Sequence, residues 1–210
     1  MNLFSLTLEH MYIVFTAVAI AVVLGVFFGV IAYWVRYLDK IILWITEVLQ
    51  TIPSLALLAL LMIVFGLGNT TIIVALVLYA LMPIARNTYI GLNDVESHLK
   101  DAAKGMGMTK LQRLVKVELP LSFPLIFSGI KIATVNSLSV AVMGVLIGAG
   151  GLGFPVYRGI QTNSLKLILS GAVPVVLMAL IFDYVMSRIE RRLTLRASDG
   201  LITPAPKSNK

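Results

Sequence analysis

Long apolar runs, each about as long as one helical crossing, organise this chain. A bilayer core about 30 Å thick takes about 20 helical residues per crossing. Five stretches approach that length: residues 11–35, 41–65, 71–85, 123–147 and 165–187. The third is the shortest and borrows from its flanks. Lipid offers backbone N–H and C=O groups no partner, so a spanning segment satisfies its own as a helix. A membrane strand would alternate over about ten residues, and AVAIAVVLGVFFGVIA in the first run does not alternate. Pro53, Pro83 and Pro174 fall inside spans, where each removes a hydrogen bond and bends its helix. A tolerated membrane proline and a gating hinge are both open readings of each.

Composition removes the soluble alternatives. Of 210 residues, 59% are hydrophobic and 13% charged, against about 45–50% and about 25% in soluble domains. The chain is therefore an all-α integral membrane protein with about five transmembrane helices. Residues 1–202 form one transmembrane domain, with no internal repeat and no core left for a soluble module; 203–210 (TPAPKSNK) are expected to be a disordered tail. The absence of cysteine excludes disulfides, cysteine-based zinc sites and thiol catalysis. His10 and His98 are too few for an all-histidine metal centre, and no cofactor is expected.

The net charge of +7 would suggest nucleic acid in a soluble protein, but here its distribution sets orientation instead. No Lys or Arg precedes Arg36. Arg36 and Lys40 follow the first span, six basic residues lie between Arg86 and Lys116, and six more follow from Arg188. Fourteen of the seventeen basic residues thus share one side, which predicts the N-terminus outside and the C-terminus in the cytoplasm. With neither a charged leader nor a small-residue cleavage site, the first span is expected to be a retained anchor.

The longest polar interval, residues 86–120, is not low-complexity. Asn93 or Asp94, less readily Ser97, caps a first short helix; Gly105 and Gly107 interrupt it; Thr109 caps a second helix carrying Leu111, Leu114 and Val115. Pro120 marks re-entry into the membrane. The bland reading is an amphipathic hairpin lying on anionic lipid.

Within that interval, Asp101-Ala102-Ala103, three residues, Gly107, nine residues, Val117, one residue, Leu119-Pro120 resembles the Glu-Ala-Ala loop of ATP-binding-cassette importer permeases of type I architecture. Asp101 stands for Glu and Val117 for Ile, with the spacing kept. Thr51-Ile52-Pro53-Ser54-Leu55-Ala56-Leu57 and Ile147-Gly148-Ala149-Gly150-Gly151-Leu152-Gly153 look like the osmoprotectant branch, which imports glycine betaine, carnitine and choline. The resemblance implies two cytoplasmic ATPase subunits, a second permease copy or paralogue, an extracytoplasmic solute-binding protein and the surrounding lipid as partners, with no role for nucleic acid. It also implies that Asp101, Ala102, Ala103 and Gly107 form a helix coupled to the ATPase, and that Leu119 and Pro120 link that helix to the next span. The permease would not itself be an enzyme. The alternatives are a permease for methionine or another small amino acid, an ATP-independent carrier or channel, and a membrane scaffold.

Other signals carry less. Gly148-x-Gly150-x-x-Gly153 matches a dinucleotide-binding pattern, but it follows a span and no strand precedes it; a close-packed external turn is the better reading. No G-x-x-x-x-G-K-[ST] occurs. Glu47, Gln50, Pro53, Asn136, Ser137 and Ser139 are candidates for a translocation path, because polar groups inside a bilayer are costly and mark conduits. Small polar residues equally let helices approach, and for Glu47 the cytoplasmic boundary is the favoured reading over the path. Lys131 is expected to snorkel, Asp183 to pair with Arg86 or Arg188, and His98 to be solvated without a partner. Tyr33, Trp34, Tyr37 and Trp44 could form a cation–π cage, but an interfacial belt is the favoured reading.

Overall fold

A computed structural model of the protein describes residues 2–199, with side chains through Leu195; the predicted tail at 203–210 lies outside the described residues. Four helical segments are long and apolar enough to cross a membrane: Leu3–Trp34, Asn69–Asp94, Lys110–Ile147 and Leu165–Leu195. The first, α1 (Leu3–Trp34), starts where the Asn2 side chain accepts the Phe4 N–H.

The expected second span is helical but broken. α2 (Asp39–Thr51) and α3 (Ser54–Phe65) meet at 100°. Pro53 has no N–H and disfavours helical backbone at the residue before it, and Ile52 is extended with ψ 126°. The two legs together run antiparallel to α4 (Asn69–Asp94). Near one end the Tyr89 hydroxyl donates to Asp39 at 3.2 Å, and at the other α3 ends at Phe65 and α4 starts at Asn69. Pro83 and Pro174, by contrast, sit inside continuous helices, in α4 and in α9 (Leu165–Asp199).

The polar interval also differs from expectation. α4 continues through Asn93 and Asp94, and α5 (Ser97–Gly105) begins at Ser97. Asn93 does not cap because its side-chain amide donates back to the Tyr89 carbonyl of its own helix. Thr109 does cap: its hydroxyl accepts the Gln112 N–H, and the Gln112 side chain accepts the Thr109 N–H. The second short helix, α6 (Lys110–Arg113), runs on through a π turn at Leu114–Glu118 into α7 (Leu119–Val140) and a 3₁₀ stretch at Ala141–Ile147. Pro120 therefore lies in a continuous helical path, directly after the π turn at Leu114–Glu118. A further helix, α8 (Gly153–Gln161), was not predicted.

Small residues set the packing around α4. A Cβ on Gly25 would come within 2.8 Å of Ile84, and one on Gly29 within 2.5 Å of Thr88 Cβ. On another face Gly129 of α7 meets the Pro83 carbonyl. Between membrane helices apolar burial gives no advantage over lipid, so close backbone approach and its dispersion energy take that role. Gly25 and Gly29 lie one helical turn apart on the face that uses them. α9 packs on α7 and α8 and stays largely exposed along its length.

Candidate functional site

At the basic end of the bundle, the Asp101–Gly107 segment is held by local chemistry. α5 ends in a glycine cap: the Gly107 N–H donates to the Lys104 carbonyl, and the Met108 N–H to the Ala103 carbonyl. This paired closure needs a left-handed residue, and Gly107 has φ 81°. Ala103 is 1% exposed and packs into its own chain, whereas Asp101, Ala102 and Gly107 are exposed. The four predicted residues therefore divide into one that anchors the helix and three that are free to meet another protein.

Two contacts of Lys100 fix α5 to the body, and Arg113 and Glu118 tie α6 to the π turn after it. Lys100 Nζ donates to the Leu92 carbonyl in the last turn of α4, at 2.9 Å, and lies 5.3 Å from the centre of the Tyr33 ring. Arg113 donates to Glu118 at 2.6 Å, and Tyr33 also hydrogen-bonds Glu118. Glu118, just before Leu119-Pro120, is 1% exposed. The sequence reading passed over it as one charge in a basic loop. Glu118→Gln should lower stability by roughly 2 kcal/mol, below the 3–5 kcal/mol of fully buried pairs because Arg113 stays partly exposed. Thermal unfolding in detergent measures this, and an unchanged melt would remove the pair's structural role.

A second cluster lies at the hinge. Pro53 and Pro83 each free a carbonyl that a helix would otherwise use. Pro83 cannot donate to the Tyr79 carbonyl, which instead accepts from the Gln50 amide at 3.4 Å. The Ile52 carbonyl, left over at the break, accepts from the Tyr79 hydroxyl. Gln50 and Tyr79 thus cross-brace the bend. Beside them is a recess of about 180 Å³ between α2, α4 and α7, to which Gln50, Asn136, Ser137 and Ser139 all contribute. Glu47 and Pro53 are not in its lining. Glu47 is paired with Arg86 at 2.6 Å, both about half exposed, as expected of a boundary position.

Other expectations are corrected. Arg86 is taken by Glu47, and Arg188 donates to the Tyr184 hydroxyl, so neither guanidinium bonds Asp183. Lys131 is not merely snorkelling: it reaches Glu190 of α9 at 2.6 Å. His98 has a partner, the exposed Glu96, 2.9 Å away. Trp34, Tyr37 and Trp44 are exposed, as interfacial rings should be.

At the opposite end of the bundle, the glycine run closes on α1. The Glu9 carboxylate accepts the Gly151 N–H at 3.2 Å and lies 3.5 Å from the Asn69 amide, while the Asn69 side-chain oxygen accepts the Gly150 N–H. A Cβ on Gly150 would overlap the Glu9 carboxylate. His10 is fully buried and donates from Nε2 to the Leu138 carbonyl. The close-packed reading of the run holds. Glu9, His10 and Asn69 had carried no such signal in the sequence.

Four helices long enough to cross a membrane, a bent pair and a glycine-capped helix at the basic end define a multi-pass helical membrane protein. The chain matches the binding-protein-dependent transport system inner membrane component family over residues 21–195. It is 43% identical over 187 residues to the glycine betaine/carnitine/choline transport system permease protein OpuCD of Bacillus subtilis, covering 89% of this chain and 82% of that one. It is 38% identical over 196 residues to the carnitine transport permease protein OpuCB of Listeria monocytogenes, covering 93% and 90%. A solved structure of the MetNI methionine ABC transporter in an inward-facing conformation superposes with a TM-score of 0.80 at 25% identity, covering 91% of this chain and 96% of that one. The chain belongs to the binding-protein-dependent transport system inner membrane components, the permease subunits of ATP-binding-cassette importers. It is a multi-pass inner-membrane protein and not an enzyme; ATP is hydrolysed on a separate subunit, and a solute-binding protein is the other partner such an importer implies.

Proposed function

We propose that this permease imports quaternary amine osmoprotectants, with the basic end of the bundle in the cytoplasm. The observation that carries the substrate class is the 43% identity to a glycine betaine/carnitine/choline permease, against 25% to the methionine transporter. Two copies, or this chain and a paralogue, form the path, because the recess beside the hinge opens at the surface of this chain and is not closed off within it. Two ATPase subunits grip the exposed Asp101, Ala102 and Gly107. When they close, α5 moves; Lys100, Glu118 and the continuous helix through Leu119 and Pro120 carry that displacement into α7 and α4. Packed helices move as bodies rather than deforming, so the two bundle halves alternate between outward and inward openings.

Proteoliposomes holding this permease, its ATPase and its binding protein test the reading. The expected result is ATP-dependent accumulation of radiolabelled glycine betaine, carnitine or choline, and no accumulation of methionine. Methionine uptake would move the chain to the amino-acid branch; solute equilibration without ATP would overturn the importer reading.

A further inference from the structure

The recess beside the hinge has an unusual lining for a membrane interior. Gln50, Tyr79, Asn136, Ser137 and Ser139 meet there, the remainder is aliphatic, and no ionised side chain lines it. Asn136 and Ser139 are exposed, so it opens at the surface of this chain instead of ending in its core. Tyr79 supplies the one aromatic ring in that lining. Its hydroxyl is committed to Ile52 and its carbonyl to Gln50, which leaves the ring as what it can offer a solute.

A quaternary ammonium group has no N–H to donate and carries its charge behind methyl groups. Aromatic faces attract such a cation within about 6 Å of the ring centre. The amide and hydroxyl groups of Asn136, Ser137 and Ser139 suit the carboxylate or hydroxyl at the other end of such osmolytes. A transit site must also let go. An uncharged lining provides that, since binding has to be weak enough for exit. We infer that this recess is a transit site for a quaternary ammonium group, with the Tyr79 ring as the element that recognises the cation. The inference rests on the osmolyte reading above.

The chain contains no cysteine, so Ser139→Cys is a single reporter in the recess, with Asn136→Cys as a second if the first fails to insert. The test measures alkylation of that cysteine by a small thiol reagent, in the permease–ATPase complex without the binding protein. Glycine betaine or choline should slow the reaction severalfold, and 3,3-dimethylbutanol, the uncharged isostere of choline, should not. Adding Tyr79→Leu should raise the concentration giving half-protection by about tenfold, the loss of one desolvated cation–π contact, while Tyr79→Phe should stay within about twofold. Both variants lose the hydroxyl bond to Ile52, so a difference between them belongs to the ring and not to the hinge. Equal protection by the isostere, or equal shifts in Phe and Leu, overturns the inference. So does absence of protection in a transporter that still accumulates osmolytes. If that transporter accumulates no osmolyte, the substrate reading itself has failed.

Discussion

Tryptophan in place of Ala102 should lower ATP-driven uptake by about a hundredfold or more, equivalent to about 2.7 kcal/mol of lost docking, while the permease still inserts and folds. Ala102 is exposed on α5, so an indole there has room on its own chain and meets obstruction only where a partner's groove closes on the helix. Ala103→Trp is the informative contrast. That alanine is buried against the body, so the larger side chain must displace α5 itself and lose stability together with transport. Uptake in proteoliposomes, co-purification of the ATPase and thermal unfolding separate the two. Full uptake by Ala102→Trp would place the ATPase contact elsewhere.

Leucine at Gly29 should leave little folded permease. Even a Cβ there comes within 2.7 Å of the Ala85 carbonyl oxygen as well as 2.5 Å of Thr88 Cβ, and both neighbours are fully buried in α4. Neither can swing aside, so α1 must lift away from α4 and give up the dispersion contacts that hold membrane helices together. Overpacking of this kind costs about 3 kcal/mol or more. The fraction of protein remaining monodisperse after heating in detergent measures it, with the lipid-accessible Phe27→Leu as control. A Gly29→Leu protein that melts with the wild type would rule out this packing of α1 on α4.

Length and apolar content were enough to locate the crossings, and the Thr109 cap and the Asp101–Pro120 spacing were visible as local patterns. Which proline breaks a helix was not. Pro53 and Pro83 present the same local chemistry; their outcomes depend on what neighbouring helices do with the freed carbonyls, and Gln50 and Tyr79 come from different spans. Polarity inside apolar runs did single out Gln50, Asn136, Ser137 and Ser139, which share the recess, but it included Glu47 and Pro53, which do not. Tyr79 was invisible because an aromatic residue in a membrane helix is ordinary. The Gly25-x-x-x-Gly29 spacing was legible as a close-approach motif and was passed over. Asn93 and Asp94 do not start the short helix because α4 continues through both; α5 starts at Ser97, after a Glu96 cap position that makes no side-chain cap bond. Glu9 served only as a charge before the first span, since no local rule reaches a backbone N–H 142 residues away.

That distance has a consequence for biogenesis. Spans leave the ribosome in order, and early segments wait for later ones. Glu9 and His10 meet Asn69, Leu138 and Gly151, partners 60, 128 and 142 positions downstream. Until the Lys110–Ile147 segment and the turn after it have been synthesised, His10 lacks its carbonyl acceptor and Glu9 has Asn69 but not the Gly151 N–H. A nascent chain that stops short of Gly151 therefore leaves a buried polar end on its first helix incompletely bonded, and the residues from Gly153 onward are not needed to complete it.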